Sequence, residues 1–177
     1  RVEQRSESIT VLLGRGDLMS AGAPLGVLEQ AVRRLCGLLG GESLQVQQQR
    51  LQERIGQHGA TAADKERLTF FVGELSNIQL PAGGRPALMA ARQDPKIMLP
   101  QMRQAFIDWL RAECRAAPVL LILDDLQWGD ALSVGLIDET LRELRQERLL
   151  VLALGRPEMS ETFPKLWQSH GPLALHL

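Results

Sequence analysis

Runs of apolar residues without polar alternation mark three candidate strands along the chain. They are residues 9–14 (ITVLLG), 119–123 (VLLIL) and 149–154 (LLVLAL). A strand with no polar positions is typically buried on both faces, as in the interior of a parallel sheet. A shorter run at residues 173–177 (LALHL) predicts the start of one more strand.

Segments with apolar residues at helical spacing lie between these strands. A helix is predicted from Pro24 to Leu39, and another begins at Asp94-Pro95, where the carboxylate caps the helix and proline occupies its first position. Residues 79–93 are rich in proline, glycine and alanine without a sustained period, so we expect an internal loop there, either a lid or a linker. Strands that alternate with helices predict an α/β fold with a mainly parallel sheet flanked by helices.

Composition narrows the classes of protein to consider. The 177 residues fit one domain, and a net charge of −1 with interspersed acids and bases predicts neither nucleic-acid nor membrane-surface binding. No apolar run approaches the roughly 20 residues that span a bilayer, so cytoplasm is the expected compartment. Cys36 and Cys114 are far apart and lie in helical patterns, which predicts two buried free thiols. The three histidines are scattered, which gives no support to a hydrolase triad.

Two adjacent carboxylates follow the central apolar run. Asp124 and Asp125 come directly after residues 119–123, and the carboxyl ends of parallel strands form the ligand-binding edge of a sheet. One carboxylate can hold Mg²⁺ while its neighbour orients or deprotonates a water for attack on a phosphate. The alternative is that these aspartates have no chemical role and lie at the point where the chain leaves the core and reaches solvent. Asp130, a few residues later, is best placed to cap the next helix, and Trp128 is either a packing anchor or a neighbour of the nucleotide.

An arginine ends the third apolar run. Arg156 follows residues 149–154 and should project from the same edge as Asp124 and Asp125. A guanidinium there can contact a terminal phosphate through two hydrogen bonds. The alternative is an arginine that pairs with Asp125 or Glu158 and neutralises the edge.

These motifs resemble a known family. LLILDDLQWGD, an amphipathic helix and LLVLALGRPE are similar to the Walker B and sensor-1 regions of predicted ATPases in the STAND branch of the AAA-like P-loop NTPases. GRGDLMSAGAPLGVLEQAVRRL matches the family's second strand and following helix more weakly. The resemblance implies an ASCE-type P-loop fold that uses ATP and Mg²⁺, with Asp124 on the metal, Asp125 as the base and Arg156 as the sensor. It also implies a signalling protein with kinase, cyclase or helix-turn-helix domains in the same chain.

The family's phosphate-binding loop, G-x-x-x-x-G-K-[ST], does not occur in these 177 residues. Because the chain opens at Arg1 with what resembles a helix end, we expect residues 1–177 to be a partial domain that starts just after this loop. A parent protein that has lost the loop is the alternative. In the resembled fold the absent first strand would lie between residues 149–154 and 173–177. We expect the resulting open edges to be closed by the last strand or by another copy of the chain.

The leading hypothesis is therefore the distal part of an ATP-binding and ATP-hydrolysing regulatory module, inactive without the phosphate-binding loop. Its expected partners are ATP, the other domains of the parent chain and, as a further possibility, a second copy. One alternative is an interaction or scaffold module that keeps the fold without the nucleotide. Another is a different doubly wound enzyme that uses the two aspartates for a metal-assisted reaction.

Overall fold

The computed structural model describes residues 8–58, 61–81 and 86–175. Its strands are β1 (Thr10–Arg15), β2 (Val119–Asp124) and β3 (Leu149–Ala153). They form one sheet in the order β1-β2-β3, and both neighbouring pairs are parallel. The predicted parallel sheet and its three apolar strands are confirmed, and the register aligns the ends of all three strands along one edge.

Seven α-helices lie in the described part of the chain, and they flank the sheet. They are α1 (Gly26–Leu35), α2 (Leu44–Gly56), α3 (Ala62–Leu75), α4 (Pro86–Gln93), α5 (Pro95–Ala116), α6 (Ala131–Glu143) and α7 (Met159–Thr162). The helix predicted from Pro24 to Leu39 is shorter at both ends, since Pro24 lies in the turn before α1 and the chain turns at Gly37 with a φ of 71°. Asp94 accepts a hydrogen bond from the backbone N–H of Lys96, which confirms the predicted start of α5.

The loop predicted over residues 79–93 is wrong in its second half, where α4 forms. Ala91 is buried, and Leu88 packs against the core. Arg92 lies 5.0 Å from the ring centre of Phe70 and pairs with Glu74 on α3. The apolar period is weak in this segment, and a helix of 8 residues is marginal by itself. These tertiary contacts therefore add to the helix propensity of its alanines and leucine. Residues 82–85 lie outside the described residues.

A fourth strand is also absent from the described part of the predicted segment. Residues 173–175 have no strand conformation and are exposed, while residues 176–177 lie outside the described residues. Among the described residues, β3 therefore pairs only with β2 and has a free edge. Residues 173–175 do not close this edge, and its closure by another copy stays a prediction.

In the described part of the chain the sheet has one covered and one open face, so the prediction that its apolar strands are buried on both faces is wrong. Leu12, Leu121 and Leu123 point to the covered face and are fully buried. Both crossovers step in the same direction across the sheet, so the right-handed rule puts their helices on this side. The opposite side, called the open face below, consists of aliphatic residues that are exposed or half-buried: Ile9, Val11, Leu13, Leu120, Ile122, Leu150 and Leu152.

An ion pair ties the helical layer together away from the sheet. Glu113 on α5 is fully buried, and Arg54 on α2 contacts both of its oxygens, with 2.9 Å between Nε and Oε1. His58 Nε2 lies 3.0 Å from Oε2 of the same carboxylate, but not in hydrogen-bonding geometry. The pair fixes α2 against α5, since a buried carboxylate requires a charged or hydrogen-bonding partner.

Candidate functional site

The two aspartates lie where β2 ends and a single-turn 3₁₀ helix, Leu126–Trp128, begins. Asp124 is the last residue of β2, and its side chain is 40% exposed. Its Oδ1 accepts a hydrogen bond of 3.0 Å from the backbone N–H of Asp125. Asp125 has a left-handed backbone, with φ 51° and ψ 41°, a conformation that aspartate tolerates better than most residues. This turn points the two carboxylates along the same edge of the sheet.

Arg15 at the end of β1 pairs with both aspartates. Its Nε and Nη2 donate to Asp125 Oδ2 at 2.8 and 2.7 Å, and its Nε lies 3.6 Å from Asp124 Oδ2. Strand register explains the contact, because Arg15 is the partner of Asp124 in the β1–β2 pair. The sequence indicates that Arg15 lies at the carboxyl end of the first strand, but not that it pairs with the aspartates. The signal that could have found it is its position as the polar residue that closes the first apolar strand.

The charge of Arg15 changes the acidity of Asp125. The hydrogen bond from Arg15 holds the pKa of Asp125 below its ordinary value, with further contributions from the amide of Gln127 and the charges of Arg15 and Arg156. The same pair raises the pKa of Arg15. In this arrangement Asp125 is an ionised, ion-paired carboxylate and therefore a weak base.

Gln127 connects the ends of β2 and β3. Its Nε2 donates to Asp125 Oδ1 at 3.2 Å, and its Oε1 accepts the backbone N–H of Arg156 at 3.1 Å. The backbone also joins the two strand ends, because the N–H of Leu126 donates to the carbonyl of Leu154 at 3.0 Å. Sequence reasoning missed Gln127, since one glutamine in a turn carries no recognisable pattern.

Arg156 lies just past β3, beside this edge, and is exposed. Its positive charge makes a smaller contribution than Arg15 to the lowered pKa of Asp125. In the described part of the chain, however, Asp125 forms its ion pair with Arg15 and not with Arg156. The structure thus places Asp124, Asp125 and Arg156 at one edge, with Arg15 among them.

Two neighbouring residues have structural roles. Asp130 Oδ1 accepts the backbone N–H groups of Ser133 at 2.8 Å and Leu25 at 2.9 Å, so it caps α6 as predicted and also holds the turn before α1. Trp128 packs against the end of β1: a Cβ placed on Gly16 would lie 3.1 Å from the Trp128 Cβ. This contact favours the packing role for Trp128.

The space beside the aspartates is small. A cavity of about 40 Å³ is lined by Arg15, Gly16, Trp128 and Asp130 among others, which is room for a water molecule but not for a nucleotide. A wider groove of about 480 Å³ runs along α1 past Arg33 and Arg34, and it shares Ala23, Gly26 and Gln30 with the small cavity. A nucleotide bound at the aspartates would therefore lie on an open surface of the described residues.

The carboxylate oxygens at this site are compatible with a magnesium ion that is held mainly by the phosphates of a bound nucleotide. Asp124 offers hard oxygen atoms at an accessible position, and Mg²⁺ bound to nucleotides commonly takes only one or two protein carboxylates besides phosphates and water. Within residues 8–58, 61–81 and 86–175 no group of three or more His, Cys, Asp or Glu side chains could hold a metal by itself. In the same ranges no helix has the length and apolar character needed to cross a bilayer.

Comparison with known proteins identifies the family. The sequence pattern of the AAA ATPase domain family matches residues 1–152, which is most of the chain. The chain belongs to the AAA ATPase domain family. Membership indicates a nucleotide-binding module of the ATPase type, and the parallel α/β sheet is consistent with a P-loop NTPase-like fold.

One curated relative of this AAA ATPase domain is an uncharacterized protein of Rhizobium meliloti (strain 1021). It is 28% identical over 111 residues, which cover 58% of this chain and 10% of the relative. The chain thus spans about a tenth of the length of that protein. No solved structure matches the chain.

Proposed function

We propose that this AAA ATPase domain is the distal part of an ATP-binding and ATP-hydrolysing regulatory module in a multidomain signalling protein of the STAND type. The observation that supports this most directly is the shared edge of the sheet. β2 ends in Asp124 and Asp125, and parallel β3 leads to Arg156 beside them. These residue types at this edge suit phosphoryl transfer, which depends on positioning and charge.

Each residue has a proposed role at this edge. Asp124 would hold Mg²⁺, and the ion would neutralise charge on the phosphates of ATP. Asp125 would orient the attacking water or accept its proton, and Arg156 would contact the terminal phosphate. Arg15 donates two hydrogen bonds to Asp125 Oδ2, so we infer that Asp125 becomes an effective base only when Arg15 turns away, for example toward a phosphate.

The phosphate-binding loop must come from outside these 177 residues. A strand that leads into such a loop would pair with the free edge of β3, next to Arg156, and would bring the loop to the two aspartates. The small cavity at this end of the strands supports the proposal, because the residues around it enclose too little space for a nucleotide. The 177-residue chain alone is therefore expected to be inactive or nearly so.

Calorimetry with Mg-ATP tests the proposal. The 177-residue chain should show no tight binding, whereas a chain extended upstream to include the loop should bind ATP and hydrolyse it. In the extended chain, Asp125→Asn should abolish hydrolysis and retain binding, while Asp124→Asn should weaken binding that depends on Mg²⁺. Tight binding by the 177-residue chain would disprove the need for the loop. An extended chain that neither binds nor hydrolyses ATP would disprove the ATPase function.

A second candidate is a non-catalytic interaction or scaffold module with a degenerate NTPase fold. The open face favours it, because exposed aliphatic residues such as Val11 and Leu150 form a surface suited to protein contact. The residues encoded just before Arg1 discriminate between the candidates. An apolar run followed by a glycine-lysine loop supports the ATPase, and its absence supports the scaffold.

A further inference from the structure

The residue that invites a further inference is Gln127, which no proposed chemical step uses. Its side chain is only 7% exposed, yet both ends of its amide make hydrogen bonds. The Nε2 reaches Asp125 Oδ1 at 3.2 Å, and the Oε1 reaches the backbone N–H of Arg156 at 3.1 Å. A neutral amide therefore links the proposed base on β2 to the backbone of the proposed sensor after β3.

Two local features leave room for this bridge. The left-handed backbone of Asp125 precedes the 3₁₀ turn and directs Gln127, the second residue of that turn, back toward the sheet. Gly155 gives the amide space: a Cβ there would lie 3.1 Å from Gln127 Oε1 and 2.7 Å from Met159 Sδ. A side chain at position 155 would thus displace the bridge or the methionine.

The carboxylate of Asp125 is held from two sides. Arg15 donates hydrogen bonds to Oδ2, and Gln127 donates one to Oδ1. If Arg15 turns away, the hydrogen bond from Gln127 is the contact that still fixes the carboxylate. Because the same amide accepts the N–H of Arg156, a displacement of Arg156 changes the position of the donor to Asp125. Coupling of this kind acts equally in both directions.

We propose that Gln127 is a positioning residue that couples the orientation of Asp125 to the position of Arg156. Its part in catalysis rests on the ATPase function proposed above, whereas the coupling itself is a property of the 177-residue chain. Gln127 would keep Asp125 aligned for water once Arg15 has left, and would transmit contact between Arg156 and a terminal phosphate to the base.

Nuclear magnetic resonance tests the coupling without any nucleotide. Arg15→Met removes the ion pair of Asp125, and the backbone amide resonance of Arg156 should shift in response. In the Gln127→Met background, which keeps the length of the side chain but has no amide, the same substitution should leave that resonance in place. An equal shift in both backgrounds would overturn the proposal. If Gln127→Met does not fold, Gln127→Glu serves instead, because it keeps the acceptor for Arg156 and loses the donor to Asp125.

Steady-state ATPase assays on the extended chain test the catalytic part. Gln127→Met should lower kcat by about tenfold to a hundredfold with little change in KM, because a small misplacement of a reacting group has an effect of this size. A purely structural role for Gln127 would lower the fraction of folded enzyme and leave the kcat of the folded enzyme unchanged.

The matched control is Gln104→Met, because Gln104 donates to Asp108 Oδ1 at 2.9 Å on an exposed part of α5. It should leave kcat and the Arg156 resonance unchanged. Gln127 variants that match this control in an active enzyme would overturn the proposed catalytic role. An extended chain without ATPase activity whose Arg156 resonance still responds through Gln127 would instead disprove the ATPase function and leave the coupling intact.

Discussion

The buried ion pair between α2 and α5 gives a quantitative prediction about stability. Glu113 is 0% exposed and Arg54 is its cationic hydrogen-bonding partner, with 19% of the arginine side chain exposed. Arg54→Met removes the guanidinium but keeps most of the apolar stem. The substitution leaves a carboxylate enclosed by protein, with only His58 beside it.

Breaking a buried pair by removing one partner typically costs about 3–5 kcal/mol. The free energy of unfolding of a natural domain is about 5–15 kcal/mol, so this loss is a third or more of it in most cases. With a urea dependence of about 2 kcal/mol per M, the midpoint of urea unfolding should fall by roughly 1.5–2.5 M. Circular dichroism at neutral pH measures this shift.

Arg142→Met is the matched control. Arg142 pairs with Asp138 four residues earlier on α6 at 2.6 Å, but 64% of its side chain is exposed. Such pairs contribute about 0.3–0.5 kcal/mol, so the midpoint should barely move. Combining Arg54→Met with Glu113→Leu should recover much of the lost stability, because no charge is then left buried. The reasoning is refuted if Arg54→Met costs no more than Arg142→Met, or if the double variant is less stable than Arg54→Met alone.

Three further predictions concern the site and the thiols. Asp130→Ala removes an acceptor that serves the backbone of two helical segments and should destabilise the domain by about 2–4 kcal/mol in urea unfolding; a loss within the error of the measurement would contradict the double cap. Because the folded pKa of Asp125 is lowered, its contribution to stability is present above the unfolded carboxyl value of about 4 and is lost as the pH falls through the folded value. Arg15→Met should reduce this acid-dependent loss in unfolding experiments at several pH values, and an unchanged pH dependence would exclude the pair as its cause. Burial raises the pKa of the Cys36 and Cys114 thiols to about 11, so alkylation near pH 8 should be slow in the native protein and fast in urea by mass spectrometry; rapid native labelling would show that the thiols are accessible.

The strands could be predicted because their signal is local. Residues 119–123 are apolar at every position, a pattern that is typical of strands in parallel sheets. The cap at Asp94 and the proline after it were equally local, and so was the cap at Asp130. In all three cases a few consecutive residues determine the structure, with little dependence on the rest of the chain.

The features that were not predicted from the sequence depend on contacts between residues far apart in the chain. Helix α4 depends on the contact of Ala91 and Arg92 with other helices, which no local pattern contains. At the site, the sequence placed Asp124, Asp125 and Arg156 at neighbouring strand ends but did not find their partners. Arg15 is 110 residues from Asp125 in the chain, and the exact strand register brings them together. Gln127 was missed because its role depends on the left-handed turn at Asp125.

The open face has a consequence for handling the protein. Val11 on β1 and Leu150 and Leu152 on β3 leave 45%, 64% and 43% of their surface in water, and Leu120 of β2 lies between Val11 and Leu150. A hydrophobic dye should therefore bind the fully native chain, and salting-out agents such as sulfate should precipitate it early, since they strengthen the association of exposed apolar surfaces. Replacing Leu150 with lysine would make the chain easier to concentrate without touching the edge that carries the aspartates.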